Sequence, residues 1–175
     1  MIPPLSTRLE FRRWQRSDVA LASSLWSDPR VMHFLGGPYS HEEVVERIER
    51  ELANNAAYGV QYWPLFTRDT GTFAGCCGLK PHEPERAHWE IGFHFRPEFW
   101  GAGYATEAAR AVMRSAIDEL HAAALFAGHH PENRASGALL AKLGFQQIGT
   151  HHFARTGLEH PWYVHRTTGS PSPAR

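Results

Sequence analysis

Two glycines separated by one residue, Gly101 and Gly103, lie where an apolar stretch gives way to an alanine-rich one. The pattern over residues 87–95 predicts a strand before them, and the alanines that follow predict the start of a helix. The first turn of a helix leaves backbone N–H groups unpaired and carries the positive end of the helix dipole. Because glycine removes the side chains that would keep a phosphate oxygen away from those amides, the spacing indicates an anion-binding turn.

The same glycines have plainer interpretations. A lone G-x-G is most often only a turn. A dinucleotide-binding loop that starts at Gly101 requires a small residue at the sixth position, where this chain has Thr106. The phosphate-loop pattern G-x-x-x-x-G-K-[ST] does not occur in the 175 residues. A nucleotide-binding structural protein is therefore disfavoured.

Glu90 is a carboxylate within the apolar run that precedes the glycines. It lies either on a solvated face of the strand or in a cleft, where desolvation raises the pKa of a carboxyl group toward that of a general base. His94, His129 and His130 are alternative bases, because histidine titrates near neutral pH. Strand alternation places Glu90 and His94 on one face, opposite the neighbouring apolar residues.

Asn133 and Ser136 lie at the start of a second predicted helix, about thirty residues after the glycines. Asn133 follows Pro131 in a strand-to-helix turn, where an asparagine side chain caps the helix. Ser136 falls in the first turn, where the default interpretation is a solvated hydroxyl.

The predicted elements describe one α/β (α+β) domain over residues 1–167. Strands are predicted at residues 9–14, 60–68, 72–80, 87–95, 123–128, 146–153 and 162–166. Helices are predicted from a Ser17-Asp18 cap through Trp26, within residues 31–37, from Ser40 with a capping box to Glu43, from residue 103, and over residues 132–143. A meander that leads into an α/β unit predicts a mixed, mostly antiparallel sheet with helices on both faces. Residues 168–175 are small, polar and proline-bearing, which predicts a disordered tail.

Composition limits the function classes. The chain has 42% hydrophobic and 21% charged residues, with 18 basic and 18 acidic side chains, so its charge does not call for nucleic acid or a membrane surface. Cys76 and Cys77 are adjacent in a predicted strand and point to opposite faces, so we expect neither a disulfide nor a metal site. The N-terminal residues lack a signal core, which makes the cytoplasm the default location.

These motifs together resemble the GCN5-related N-acetyltransferase superfamily, in the branch of the ribosomal-protein N-terminal acetyltransferases. E-I-G-F at residues 90–93 and P-E-x-W-G-x-G-Y-A-T-E-A at residues 97–108 match the branch pattern. P-E-N-x-A-S and L-x-K-L-G-F follow at residues 131–136 and 140–145, and the resemblance extends over residues 7–166. Trp100 stands where the superfamily usually has Gln or Arg, which leaves the phosphate contacts to the backbone and to Arg96 or nearby bases.

The resemblance implies a V-shaped splay between the fourth and fifth strands, with acetyl-CoA bound as co-substrate in the gap. It implies that Glu90 deprotonates the acceptor amine and that Ser136 protonates the leaving thiolate. It also implies a set of cofactor-binding positions, namely Phe93, His94, Phe95, Trp100, Gly101, Ala102, Gly103, Tyr104, Ala105, Thr106 and Asn133.

The function that follows is acetyl-CoA-dependent N-acetylation of a primary amine by direct attack in a ternary complex. The expected acceptor is the α-amine of a protein or peptide terminus, or a small amine metabolite, with no nucleic acid, membrane or metal involved. The alternative is a non-catalytic CoA-binding regulatory module. A homodimer is compatible with both. Four aromatic residues of the early segment are candidates for the wall of an acceptor slot, with core or rim packing as the alternative: Trp26, Phe34, Tyr39 and Tyr58.

Overall fold

The computed structural model describes residues 1–167, so the predicted tail at 168–175 lies outside the described part. The α-helices are α1 (Val19–Trp26), α2 (Pro29–Met32), α3 (His41–Tyr58), α4 (Tyr104–Asp118) and α5 (Arg134–Lys142). The strands are β1 (Leu9–Phe11), β2 (Tyr62–Thr67), β3 (Phe73–Glu83), β4 (His88–Phe95), β5 (Ala124–Gly128), β6 (Gln146–Phe153) and β7 (Leu158–Arg166). Short 3-10 turns occur at Arg16–Asp18, His33–Leu35, Pro84–Arg86 and Pro97–Phe99.

The seven strands form one sheet in the order β1-β2-β3-β4-β5-β7-β6. Every neighbouring pair is antiparallel except β4 with β5. That parallel pair covers only three positions, from His88 opposite Ala124 to Glu90 opposite Phe126. Beyond Glu90, β4 stays paired with β3 while β5 continues along β7, so the two strands part. The predicted splay between the fourth and fifth strands is confirmed.

Helices cover both faces of the sheet. One apolar cluster joins α4 and Leu140 of α5 to the strands, and a second joins α1 and α3 to the opposite face. Cys77 belongs to the first cluster and Cys76 to the second, as strand alternation predicts. Both thiols are free and buried, and burial raises the pKa of each. The mixed sheet with helices on both faces is therefore confirmed.

Helix α4 owes its position to alanine. Its buried face carries Ala108, Ala111, Val112 and Ala116, spaced at three to four residues, and the side chain at each is small. Small residues let a helix approach a sheet closely, and α4 packs against the strands in the first apolar cluster.

Several predicted boundaries change in the structure. Strand β1 ends at Phe11 rather than residue 14, because Trp14 turns into the core, where its Nε1 donates to the Tyr62 carbonyl at 2.6 Å. Asp18 accepts from the Gln15 N–H at 2.8 Å within a 3-10 turn and does not cap α1 with its side chain. The predicted capping box at the start of α3 is present, with Ser40 and Glu43 exchanging hydrogen bonds.

Within residues 1–167, no helix is both long and apolar enough to cross a membrane. In the same range, histidine, cysteine and acidic side chains do not gather in threes with the geometry to hold a metal ion.

Candidate active site

A cleft of about 710 Å³ opens where β4 and β5 part. Its walls are the second half of β4, the turn before α4, the start of α5 and residues of β7 and of the α2 region. The Arg96 N–H donates to Ala74 of β3 at 2.9 Å, whereas the Ala87 carbonyl accepts from Ala123 beside β5. Successive residues of a strand direct their N–H and C=O groups to opposite sides. Arg96 directs these groups to β3, so Phe93 and Phe95 direct theirs away from β3 and into the cleft. One edge of β4 is thus left without a strand partner there.

The turn before α4 presents open backbone to the cleft. Gly101 and Gly103 have φ angles of 73° and 81°, values that glycine adopts without strain. A Cβ atom added to Gly101 would meet nothing within 4 Å. Gly103 is the N-cap of α4 and has no side chain to cap the helix. The first-turn amides are therefore free of a side-chain cap and point at open space, as an anion site requires.

Glu90 lies at the last position where β4 pairs with β5. Its carboxylate Oε1 is 2.9 Å from Lys80 Nζ on the neighbouring strand, and its side chain is 19% exposed. The residue lines the cleft. Of the two sequence-based alternatives, the structure therefore places Glu90 in a cleft, and a cross-strand ion pair fixes its position.

The wall opposite β4 contains Asn133 and Ser136. Asn133 Oδ1 accepts from the Ser136 N–H at 3.1 Å, so the predicted cap of α5 is confirmed. Ser136 lies in the first turn of α5 and lines the cleft. The two residues proposed for acid–base chemistry, Glu90 and Ser136, therefore belong to different walls of the same cleft.

His94 does not titrate near neutral pH, so that expectation is wrong. Its Nδ1 accepts from Trp26 Nε1 at 3.0 Å. Burial, together with the positive charges of Arg47 and Lys80, lowers the pKa of His94 to about 3. The imidazole is neutral at physiological pH and is a weak base.

The other two histidines have ring nitrogens already engaged. His129 Nδ1 lies 2.8 Å from the His130 carbonyl, which only accepts, so this nitrogen carries the proton. In the neutral ring Nε2 is then the acceptor, and it lies 3.1 Å from the Tyr163 hydroxyl. His130 Nδ1 accepts from the Glu132 N–H at 3.1 Å. Glu90 is the candidate base with an oxygen left for the cleft.

Two of the four candidate wall aromatics line the cleft. Phe34 and Tyr39 do so. Trp26 is only 1% exposed and lies beneath His94, and Tyr58 packs against Trp89 at a ring distance of 6.1 Å, outside the cleft lining. For Trp26 and Tyr58, the alternative of core or rim packing holds, because Trp26 is buried and Tyr58 packs against Trp89.

Comparison with known proteins decides the family. Residues 8–146 match the family model of the acetyltransferase (GNAT) domain, which is most of the chain. The chain belongs to this GNAT family. A curated relative, the uncharacterized protein YkkB of Bacillus subtilis (strain 168), is 32% identical over 142 residues, covering 81% of this chain and 79% of YkkB.

Solved GNAT structures share the fold. The acetyltransferase of Salmonella typhimurium that modifies the N-terminal serine of ribosomal protein L7/L12 aligns with a TM-score of 0.81 at 21% identity, over 95% of this chain and 99% of that one. RimL, a ribosomal L7/L12 α-N-protein acetyltransferase solved in complex with coenzyme A, aligns with a TM-score of 0.80 at 19% identity, over 95% and 98%. At these identities the likeness establishes the fold alone.

As a GNAT acetyltransferase, the chain is an acetyl-CoA-dependent acyltransferase, as the sequence predicts. Two features of the cleft fit that co-substrate. The uncapped first-turn amides of α4 suit its phosphates, and the unpaired edge of β4 suits its extended, amide-bearing arm. Trp100, the departure from the superfamily pattern, donates from Nε1 to the Phe95 carbonyl at 2.7 Å and so closes the outer end of that edge.

Arg8 is a site residue that sequence reasoning missed. Its Nη1 donates to the Ala102 carbonyl at 3.0 Å, its Nε donates to Glu107 at 2.7 Å, and its guanidinium lies 4.0 Å from the centre of the Tyr104 ring. Arg8 thereby ties the N-terminal segment to the glycine turn and to the first turn of α4. The acidic residue Glu107 in that turn was the sequence signal for a basic partner. Its partner, Arg8, lies 99 positions away along the chain.

Proposed function

We propose that this acetyltransferase acts on an α-amine, either the terminus of a protein or peptide or a small amine metabolite. The observation that carries the proposal is the position of Glu90, a partly buried carboxylate at the residue where β4 leaves β5. A base at the head of the gap lies beside the end of the cleft where an amine must meet the acetyl group. The Salmonella enzyme's action on an N-terminal serine supports a protein terminus as one acceptor.

Protonation equilibria favour an α-amine over a lysine side chain. An α-amine with a pKa near 8 is neutral in about a tenth of molecules at pH 7. A lysine amine with a pKa near 10.4 is neutral in only about one molecule in 2,500, a further cost of roughly 3 kcal/mol. The described cleft offers one carboxylate, already paired with Lys80, which suits the smaller task.

The residues of the cleft divide the remaining work of a direct transfer. Acetyl-CoA supplies the activated acetyl group. The turn at residues 100–106 and Asn133 bind the donor, and the main chain of Phe93 and Phe95 pairs with its arm. A backbone N–H of β4 stabilises the oxyanion. Glu90 takes the proton from the acceptor nitrogen through Oε2, because Oε1 is held by Lys80, and Ser136 gives a proton to the departing sulfur.

The test compares initial rates of thiol release on three acceptors. These are a peptide with a free N-terminus, the same peptide with a blocked N-terminus and an internal lysine, and a panel of small amines. We expect turnover with the free peptide or with small α-amines. A clear preference for the blocked lysine peptide would contradict the proposal.

A further inference from the structure

Two glycines inside the sheet make room for strand β2, Gly78 for its backbone at Gln61 and Tyr62, and Gly92 for the ring of Tyr62. Tyr62 on β2 is paired with Gly78 on β3, and Gly78 is paired with Gly92 on β4, so the three form a row across the strands. A Cβ atom on Gly78 would lie 2.6 Å from Tyr62 Cα, and one on Gly92 would lie 2.5 Å from Tyr62 Cζ and overlap its hydroxyl oxygen. The ring therefore reaches from β2 across β3 to β4.

The hydroxyl of Tyr62 occupies the place of the side chain that Gly92 lacks. Side chains two residues apart share a face of a strand, so that place lies between Glu90 and His94. Tyr62, Gly92 and Glu90 all line the cleft. The sheet thus delivers a phenol group from a distant strand to a point beside the candidate base.

The rest of Tyr62 is held firmly. Its N–H donates to Glu51 Oε2 at 2.7 Å, and its carbonyl accepts from Trp14 Nε1 at 2.6 Å. Arg47, which is ion-paired with Glu51 at 2.7 Å, lies 4.9 Å from the centre of the Tyr62 ring. A phenol fixed at its backbone and along its ring presents its hydroxyl at one place.

The hydroxyl itself makes no hydrogen bond to any residue in the range 1–167, although Tyr62 is only 5% exposed. Because the hydroxyl oxygen is accessible from the cleft, a group that enters the cleft can form a hydrogen bond with it. Burial and the nearby charge of Glu90 raise the pKa of Tyr62 well above its ordinary value, so the group stays a neutral phenol. A fixed, neutral, unpaired hydroxyl that faces a cleft indicates a partner that arrives with the substrate.

We propose that Tyr62 is a catalytic residue, whose hydroxyl hydrogen-bonds the acceptor nitrogen and holds it beside Glu90. The proposal rests on the proposed function only in taking the acceptor to be an amine next to Glu90. The Tyr62 oxygen accepts one N–H, while Glu90 takes the proton that the nitrogen loses as the N–C bond forms and the C–S bond breaks. The Tyr62 O–H bond stays intact throughout.

The test is Tyr62→Phe, with Tyr58→Phe as the matched control because Tyr58 lies outside the cleft lining. We expect kcat/KM for the acceptor to fall at least about tenfold in Tyr62→Phe, with the dissociation constant for acetyl-CoA within about twofold and the melting temperature not lowered. The control keeps wild-type values. A purely structural role would instead lower the melting temperature and weaken acetyl-CoA binding. A folded Tyr62→Phe variant with wild-type kcat/KM would overturn the proposal.

A second variant removes the hydroxyl from its place without deleting it. In Gly92→Ala the new methyl group must displace the Tyr62 ring tip, so we expect the same loss of acceptor kcat/KM in a folded protein. Wild-type activity in that variant would also overturn the proposal.

Glu90→Gln is measured in the same series. If Tyr62→Phe is impaired and Glu90→Gln is not, the base assignment fails and Tyr62 stands; if the blocked lysine peptide is preferred, Tyr62 is tested on that acceptor instead.

Discussion

His94 gives the structure a stability that depends on pH. Its Nδ1 accepts from Trp26 Nε1, and burial together with the charges of Arg47 and Lys80 disfavours the protonated ring. The substitution that isolates this effect is His94→Asn, because the Asn side-chain oxygen can accept from Trp26 and does not titrate. The exposed residue His41, substituted in the same way, is the matched control.

The size of the effect follows from the two pKa values of the ring. The pKa of His94 is about 3 in the folded chain and about 6.5 in the unfolded chain. Because the folded value is the lower one, the unfolded chain binds more protons between these limits, and stability falls as the pH falls. From about pH 8 to about pH 4.5, this residue alone should remove about 2.7 kcal/mol from the free energy of unfolding.

The assay is urea unfolding of the three proteins at both pH values, monitored by tryptophan fluorescence. The wild type and His41→Asn should each lose about 2.7 kcal/mol more between about pH 8 and about pH 4.5 than His94→Asn loses. Other groups that titrate in this range contribute to all three proteins alike. If His94→Asn lost as much stability as the wild type, the argument for a neutral, desolvated imidazole beneath the cleft would be refuted.

Three further substitutions examine the donor site and the proton transfers. Gly103→Val should weaken acetyl-CoA binding at least tenfold, about 1.4 kcal/mol, as measured by calorimetry, whereas Gly71→Val, at a remote glycine of similar φ, should add comparable backbone strain and leave the affinity unchanged. Glu90→Gln should lower kcat and remove the acidic limb of the pH–rate profile, with an unchanged dissociation constant for acetyl-CoA; an unaltered rate and profile would remove Glu90 as the base. Ser136→Ala should lower kcat about tenfold and no more, because a thiol with a pKa near 8.5 departs readily; no change in kcat would remove Ser136 as the acid.

Features that depend on a few neighbouring residues were predictable from the sequence. The capping box at Ser40 and Glu43, the cap by Asn133, and the glycine turn each need only residues two or three apart, and all three are present. The splay between β4 and β5 could not be predicted from neighbouring residues, because hydrophobic periodicity and strand propensity do not show where two strands part. It was predicted through the resemblance, and the structure adds that the parting occurs at Glu90.

The contacts that the sequence did not reveal are distant along the chain. Arg8 reaches Glu107 across 99 positions, and the Trp26 indole reaches His94 across 68. The second contact explains why the protonation of His94 was predicted wrongly. Strand alternation correctly predicts the face of the sheet on which His94 lies. The pKa of its ring depends on the residues of α1 and α3 that pack over that face, and the local sequence pattern does not identify them.

Glycines of the turn and glycines of the sheet have opposite effects, and the space around each one distinguishes them. Gly101 faces space that is empty of protein, so its missing side chain leaves room for a ligand. Gly78 faces space that the backbone of β2 at Gln61 and Tyr62 fills, and Gly92 faces space that the Tyr62 phenol fills, so their missing side chains admit other parts of this chain. The group that approaches Gly92 in the structure is the Tyr62 phenol. In the proposed mechanism, the glycines of the turn therefore serve the acetyl donor, whereas Gly92 serves the amine through Tyr62.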